Sequence, residues 1–173
     1  MMTLQEQLCN WENLLHAWGN ASRGKRGRSA TARYETYLAD NLLDLQTQLQ
    51  SQPYPPGNYA SFYVHEPKRR LISAAPFADR VAHHALCNIT QPHFERGFIA
   101  DSYANRLGKG THRALNCATQ FARRYKYVLQ CDVVQFFPSL DHAILSQTLS
   151  KMLPDKSVHW MIERILASGP SIN

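Results

Sequence analysis

The residue whose type and position best suit catalytic chemistry is Asp132, which stands late in an apolar run rich in aromatic and β-branched residues, Tyr127 to Val134. An unpaired carboxylate is costly to bury in such a run, and binding magnesium is one way to offset that cost. Two magnesium ions held by carboxylates can promote nucleotidyl transfer. Asp132 could instead accept hydrogen bonds from backbone N–H groups at a strand end, so the residue alone leaves both interpretations open.

A basic turn upstream has the residue types that bind phosphate groups. Residues 61–65 and 70–73 are rich in strand-forming side chains, and Glu66-Pro-Lys68-Arg69 separates them. This pattern predicts a β-hairpin with a cationic tip. Fixed cations beside a triphosphate stabilise the charge that develops during phosphoryl transfer. A solvated basic turn is the plainer interpretation of the same residues.

A third group combines cations with glycines in Arg106-Leu-Gly108-Lys109-Gly110, followed by Arg113 at the start of a predicted helix. It is not a P-loop, because glycine rather than Ser or Thr follows Lys109. Glycines allow a backbone to approach phosphates, which the cations and the helix N-terminus would neutralise.

The elements that must position these groups form an α+β pattern with no internal repeat. Leu4, Leu8, Trp11, Leu15 and Trp18 recur at steps of three and four and predict a first amphipathic helix. Tyr127 to Val134 predicts a strand, and Asp141, or Ser139 in its place, is the predicted N-cap of the helix that follows. The other predicted elements are a basic loop at 19–29, a helix at 34–49, a turn at 52–57, and helices at 79–89, 111–125 and 156–167.

The charge is concentrated in the middle of the chain. The 173 residues carry 19 Lys and Arg against 13 Asp and Glu, for a net charge of +6. Residues 61–131 hold 11 of the basic and 4 of the acidic side chains, and therefore the whole surplus. Such a segment favours a polyanionic partner, although a solvated surface would give the same count.

Composition excludes several other classes of protein. A hydrophobic fraction of 44% is too high for a wholly disordered chain. No stretch is long enough to span a membrane, and residues 1–10 have no signal-peptide pattern. The 4 cysteines and the scattered histidines lack metal-ligand spacing, so we expect reduced thiols in a cytoplasmic protein.

Taken together, the three groups resemble the motifs of bacterial reverse transcriptases, in the correct order. The segment 67–81 is similar to the fingers motif of that family, 101–115 to its second fingers block, and 127–142 to its first palm motif. The likeness is greatest to the enzymes of diversity-generating retroelements, and it extends to Trp11–Leu15 and Gly24–Arg26. Retron, group II intron and CRISPR-linked enzymes share parts of the pattern.

The resemblance implies roles for particular residues. Asp132 and the backbone carbonyl of Val133 would bind two Mg²⁺ ions, and Phe137 would lie beneath the sugar of the incoming deoxynucleotide. Lys68 and Arg70 would hold the triphosphate of that dNTP, with Arg69 as a competitor. The residues implied to contact the template are Arg106, Gly108, Lys109 and Arg113.

The resemblance also implies a domain order and partners. Residues 1–52 would be a helical extension with a basic loop, 53–126 the fingers, and 127–173 the start of a palm that stops before a Tyr-x-Asp-Asp motif. The expected partners are an RNA template, a DNA primer, dNTPs, the missing palm and thumb, and a retroelement accessory protein. With one metal-binding carboxylate, we expect this RNA-directed DNA polymerase fragment to be inactive alone.

Two other functions fit the same residues. A non-catalytic RNA-binding module derived from a reverse transcriptase would keep the basic fingers and dispense with the metals. A metal nuclease built on Asp132 and Asp141 is the third interpretation. The chain would then be a truncated polymerase, half of a split gene, a broken reading frame, or one of these other proteins.

Overall fold

The computed structural model describes residues 2–52, 54–137 and 139–169, and it is mixed in helix and sheet. Two strands, β1 and β2, pair antiparallel, with Ala60 opposite Ala74 and Val64 opposite Arg70. The elements in chain order are α1 (Leu4–Leu8), α2 (Trp11–Ser22), α3 (Ser29–Thr36), α4 (Leu38–Ser51), β1 (Ala60–Val64), β2 (Arg70–Ala74), α5 (Phe77–Glu95), α6 (Thr111–Arg124), α7 (His142–Met152), a 3₁₀ turn (Lys156–Val158) and α8 (His159–Ser168).

The chain divides into two compact units. The helical unit comprises Met1–His93 and Asp141–Asn173, and the loop unit comprises Phe94–Leu140. Every buried side chain among the described residues belongs to the helical unit. Its large, fully buried side chains include Leu8, Leu14, Leu42, Leu49, Val81, Leu153, Val158 and Met161. Burial of each leucine contributes about 1.5–3 kcal/mol, so the hydrophobic stabilisation lies in this unit.

Polar contacts join the two ends of the helical unit. The N–H of Leu4 donates to Asp155 Oδ2 at 2.6 Å, and that of Gln5 donates to Ser157 Oγ at 3.0 Å. Trp160 Nε1 donates to the Gln5 side-chain oxygen at 3.0 Å. The bond from the Leu4 N–H lowers the pKa of Asp155. The N-terminal turn of α1 is thereby tied to residues 151 positions away in sequence.

The N-terminal helices differ from the single helix that the apolar spacing predicts. Asn10 caps α2 by accepting from the Glu12 N–H at 2.8 Å, and this cap breaks the predicted helix into α1 and α2. Leu14 is buried in α2, whereas Leu15 is 42% exposed. The inward face of α2 is therefore rotated from the predicted one.

The helices around the hairpin match their predictions more closely. The strands lie within a residue of their predicted bounds, and α6 covers 111–124 against a predicted 111–125. The helix α5 continues through Pro92 to Glu95, beyond the predicted end at Ile89. Asp141 caps α7 as predicted, accepting from the N–H groups of Ala143 and Ile144. Within the described residues, no helix is long and apolar enough to cross a membrane.

Candidate nucleic-acid interface

The predicted dNTP-binding cations lie at the end of the β1–β2 hairpin, in the helical unit. Lys68 is exposed in the turn, and Arg70 is the exposed first residue of β2, opposite Val64. The Glu66–Pro67 peptide in this turn is cis. The Arg69 guanidinium lies over the Tyr63 ring, 4.0 Å from its centroid. Arg69 therefore packs on the hairpin, while Lys68 and Arg70 extend from it.

A buried carboxylate on α5 holds the segment that leads into β1. Asp79 accepts from the Tyr54 hydroxyl through Oδ1 and from the Gly57 N–H through Oδ2, the latter at 2.9 Å. Burial and the bond to Asp79 raise the pKa of Tyr54. A Cβ on Gly57 would stand 2.9 Å from Pro76 Cγ, so the close approach requires glycine. The sequence pattern did not single out this cluster, although Gly57 in the predicted turn was a partial signal.

Arg106 organises the loop between α5 and α6, in the loop unit. Its side chain is only 11% exposed and pairs with Glu95, through Nε at 2.9 Å and Nη2 at 2.8 Å. Its Nη1 donates to the carbonyl oxygens of Ile99 and Ser102, at 2.8 and 3.0 Å. The guanidinium also lies 5.2 Å from the Phe98 centroid. Within this structure Arg106 positions the loop, and its contact with a template stays a prediction.

Two further cations of the loop unit, Lys109 and Arg113, also bind backbone carbonyls. Lys109 Nζ donates to the Ala100 oxygen, and Arg113 Nη1 donates to the Gly108 oxygen at 3.0 Å. Gly108 and Gly110 have φ of +70° and +93°, in the region that favours glycine, and nothing lies within 4 Å of a Cβ built on either. The glycines therefore serve the backbone path of this turn.

Two features of this loop face solvent. Arg113 and His112 are exposed in the first turn of α6, and no side chain caps that turn. The free N–H groups at its start carry partial positive charge. The structure thus brings Arg106, Gly108, Lys109 and Arg113 together around one turn. Glu95, the counter-ion that holds the turn, was missed because a spacing of eleven residues is not a recognisable pattern.

The segment carrying Asp132 and Val133 is not the predicted strand. Residues 127–134 form no regular element, and they donate no backbone–backbone hydrogen bond. Tyr127, Leu129 and Val134 are 92%, 87% and 84% exposed. A strand is stable only when a neighbouring strand satisfies its backbone, and β1 and β2 are the only paired strands among the described residues. The segment has a strand-forming composition, but no described strand pairs with it.

The aromatic pair at the end of this segment is also open to solvent. Phe136 and Phe137 are 52% and 79% exposed, and their rings meet edge to face at 5.3 Å. Phe136 is therefore not a buried packing residue in this chain. The position of Phe137 beneath a sugar stays a prediction.

Asp132 offers a single carboxylate to a metal. It is exposed, and its Oδ1 accepts from the Val133 N–H at 2.9 Å. Across the three described ranges, no group of three or more His, Cys, Asp or Glu side chains is placed to hold a metal ion. One carboxylate and one carbonyl do not by themselves fit a two-metal centre, which needs several oxygen ligands for each ion. The two Mg²⁺ ions stay a prediction.

Two plant proteins resemble this chain at low sequence identity. The chain is 29% identical to nuclear intron maturase 1, mitochondrial, of Arabidopsis thaliana over 100 residues, which are 57% of the chain and 14% of that protein. It is 23% identical to nuclear intron maturase 2, mitochondrial, of the same plant over 145 residues, 75% of the chain and 20% of that protein. This chain is a distant relative of plant nuclear intron maturases.

The similarity covers only a small part of the length of each maturase. The chain spans a fifth or less of each of these proteins. No protein-family model matches it. At this identity and coverage the likeness assigns no subclass to the chain.

Proposed function

We propose that this chain is the RNA-binding front part of a reverse-transcriptase-type protein. The observation that carries the proposal is the cation surplus of residues 61–131, 11 basic against 4 acidic side chains. Two of the four acids are not available at the surface, because Asp79 is buried and Glu95 is paired with Arg106. A surface so depleted of acids attracts a phosphate backbone.

The hairpin and the α6 turn are the two parts that would meet the RNA. Lys68 and Arg70 extend from a hairpin whose base is fixed by Asp79, so their charges are held on a supported element. Lys109 and Arg113 flank the uncapped start of α6, where cations and backbone N–H groups both favour a phosphate. Arg106 acts indirectly in this proposal, by holding the turn that presents them.

The likeness to intron maturases supports this function. Both relatives are named for introns, and group II intron enzymes are among the reverse transcriptases whose motifs this chain resembles. The RNA partner is therefore favoured over the nuclease interpretation. Asp141, the second acid of a nuclease site, already caps α7 through two backbone N–H groups. The diversity-generating subclass rests on the sequence resemblance alone.

The more specific function that we propose is that of an RNA-directed DNA polymerase, of which this chain would form the fingers and an incomplete palm. In that function Asp132 and the Val133 carbonyl would hold Mg²⁺, Lys68 and Arg70 would hold the dNTP, and further carboxylates would come from a separate stretch of polypeptide. The spacing of five residues between Asp132 and Phe137 favours this candidate. The magnesium would polarise the reacting phosphate.

RNA binding tests the proposal through charge-matched double variants. We expect single-stranded RNA to bind in a salt-dependent and sequence-tolerant way, because binding releases counter-ions. Lys68→Gln with Arg70→Gln should weaken binding about tenfold or more, whereas Lys151→Gln with Arg164→Gln removes the same charge from exposed positions outside the basic segment and should change it about twofold or less. Fluorescence anisotropy across a salt series measures both. Equal losses in the two double variants, or affinity independent of salt, would show that the basic segment is ordinary surface.

A primer-extension assay distinguishes a chain that only binds RNA from one that is itself an RNA-directed DNA polymerase. The chain supplies one metal-binding carboxylate in the described residues, so we expect no extension of a DNA primer on an RNA template above background. Extension that disappears in Asp132→Lys, a variant that loses the carboxylate and keeps a charge, would show that this chain is itself a polymerase.

A further inference from the structure

The helix α6 and the segment 127–134 after it present apolar side chains that no described residue covers. Leu115, Ala118 and Phe121 recur at steps of three and therefore lie on one side of α6, where all three are exposed. Every side chain of residues 127–134 is exposed as well, and both parts belong to the loop unit. Exposed apolar surface of this extent marks a place where another polypeptide binds.

The segment 127–134 also has free backbone groups and a two-sided pattern. Its N–H groups donate to no backbone carbonyl. In an extended strand, alternate side chains point to opposite faces. One face of such a strand is wholly apolar, and its members are Tyr127, Leu129, Cys131 and Val133. The other face carries two polar residues between two valines, in the order Val128, Gln130, Asp132 and Val134.

This segment is complementary to a second copy of itself in one antiparallel register, with Cys131 opposite Cys131 of the second copy. Val128 then lies opposite Val134, and Leu129 lies opposite Val133. Apolar pairs of this kind stabilise an antiparallel ribbon. Asp132 lies opposite Gln130, whose amide can donate to the carboxylate.

The neighbouring registers are less favourable. A slip of one residue would set the apolar face of one copy beside the polar residues of the other. A parallel pair in register would set Asp132 against Asp132, and like charges directly opposite each other are destabilising. The same clash follows when the antiparallel centre moves from Cys131 to Asp132.

We propose that two copies of this chain associate through residues 127–134, which pair as an antiparallel ribbon centred on Cys131. A two-stranded ribbon is marginal in water unless a helix packs on its apolar face, and the exposed side of α6 is apolar. The exposed parts of Phe121, Tyr125, Tyr127 and the aliphatic side chains of the segment offer on the order of 800 Å² per copy, which is what each partner contributes to a standard interface. The association does not depend on the proposed RNA binding, whose cations lie outside the segment.

Sedimentation of the 173-residue chain at rising concentration tests the association. We expect a discrete species of twice the 19.8 kDa chain mass, in equilibrium with a monomer in which Leu129 stays exposed. Leu129→Lys places a charge on the apolar face of the ribbon and should weaken the dimer about tenfold or more. Leu43→Lys changes another exposed leucine, in α4, and should leave the dimer unchanged. A monomer at every concentration, aggregates without a dimer, or equal weakening by Leu43→Lys would overturn the proposal.

Oxidative cross-linking tests the register. Residues directly opposite each other in an antiparallel pair have Cα atoms about 4.5–5.5 Å apart, which suits a disulfide. Mild oxidation should therefore couple two chains through Cys131, and Cys131→Ser should prevent it. Adding Val128→Cys to Cys131→Ser should not restore the coupling, because the two substituted positions would lie about 20 Å apart along the ribbon. Equally rapid coupling at both positions would indicate parallel pairing or random collision and would overturn the register.

The polar pair gives a further test with opposite signs. Gln130→Lys sets a cation opposite Asp132 and should strengthen the dimer about fivefold, whereas Gln130→Glu sets a second anion there and should weaken it by a similar factor. Both effects should shrink with added salt, since the pair is exposed. Effects of the same sign in the two variants would show that Asp132 is not opposite residue 130, and the proposed ribbon would be wrong.

Discussion

The helical unit and the loop unit are stabilised in different ways. In the helical unit, leucines from α1, α2 and α4 reach full burial, and a hydrogen bond joins residues 151 positions apart. Among the described residues of 94–140, no side chain is buried, and Ile99, Leu107 and Tyr127 are 74%, 97% and 92% exposed. The loop unit is held by Arg106, Lys109 and Arg113 donating to nearby carbonyls. The loop unit is therefore stabilised by hydrogen bonds from basic side chains, and the helical unit by a hydrophobic core.

The largest test of this difference compares two leucines. Leu42→Ala, at 0% exposure in α4, should lower the free energy of unfolding by about 2–5 kcal/mol, because it removes buried methyl groups and leaves a cavity. Leu129→Ala, at 87% exposure, should change it by about 0.5 kcal/mol or less. Urea unfolding followed by circular dichroism measures both. A cost above 2 kcal/mol for Leu129→Ala would mean that the loop unit has a core of its own.

The second test removes the organising cation of the loop unit. Arg106→Gln breaks the pair with Glu95 and two carbonyl bonds, and it should cost this loop about 1.5–3 kcal/mol. Hydrogen exchange should accelerate at the Gly110 amide, which donates to Tyr103, while α4 keeps its protection. Arg123→Gln is the control at an exposed position. The comparison fails if Arg106→Gln unfolds both units equally.

The smallest expected effect is at Asp155 and depends on pH. Its pKa is lowered in the folded chain by the Leu4 N–H, so its stabilisation is present at neutral pH and is lost as pH falls through that lowered pKa, below about 4. Asp155→Ala should cost about 1 kcal/mol at pH 7 and progressively less in acid. Glu163→Ala is the exposed control in α8. A cost that does not change between pH 7 and pH 2 would exclude this linkage.

Sequence patterns predicted the elements whose signals are local. The hairpin, α6 and the Asp141 cap follow from residue types within a few positions, and the structure confirms them. The strand at 127–134 was wrong because pairing is not local, and the same composition stays irregular without a neighbour. The division of the first helix was missed because an asparagine can lie inside a helix or cap one. The hydrogen bond from the Glu12 N–H to the Asn10 side chain shows that Asn10 is a cap.

The sequence predicted which residues lie together in the candidate site, but it did not predict which groups they contact. The grouping of Arg106, Lys109 and Arg113 around glycines was visible in the sequence, and the structure gathers them at one turn. The sequence did not show that Arg106 donates to Glu95, Ile99 and Ser102. These acceptors lie four to eleven residues away along the chain, at no recognisable spacing. The roles of Lys68, Arg70, Asp132, Val133 and Phe137 stay predictions.

The exposed stretch from Tyr127 to Phe137 bears on how Asp132 should be substituted. Asp132 is its only charged residue, flanked by β-prone and largely exposed side chains. A lone charge in such a window acts as a gatekeeper against cross-β aggregation. Asp132→Asn would therefore remove colloidal protection together with the carboxylate, and a soluble yield lost in that variant would say nothing of catalysis. Asp132→Lys removes the carboxylate and keeps a charge, which makes it the cleaner substitution.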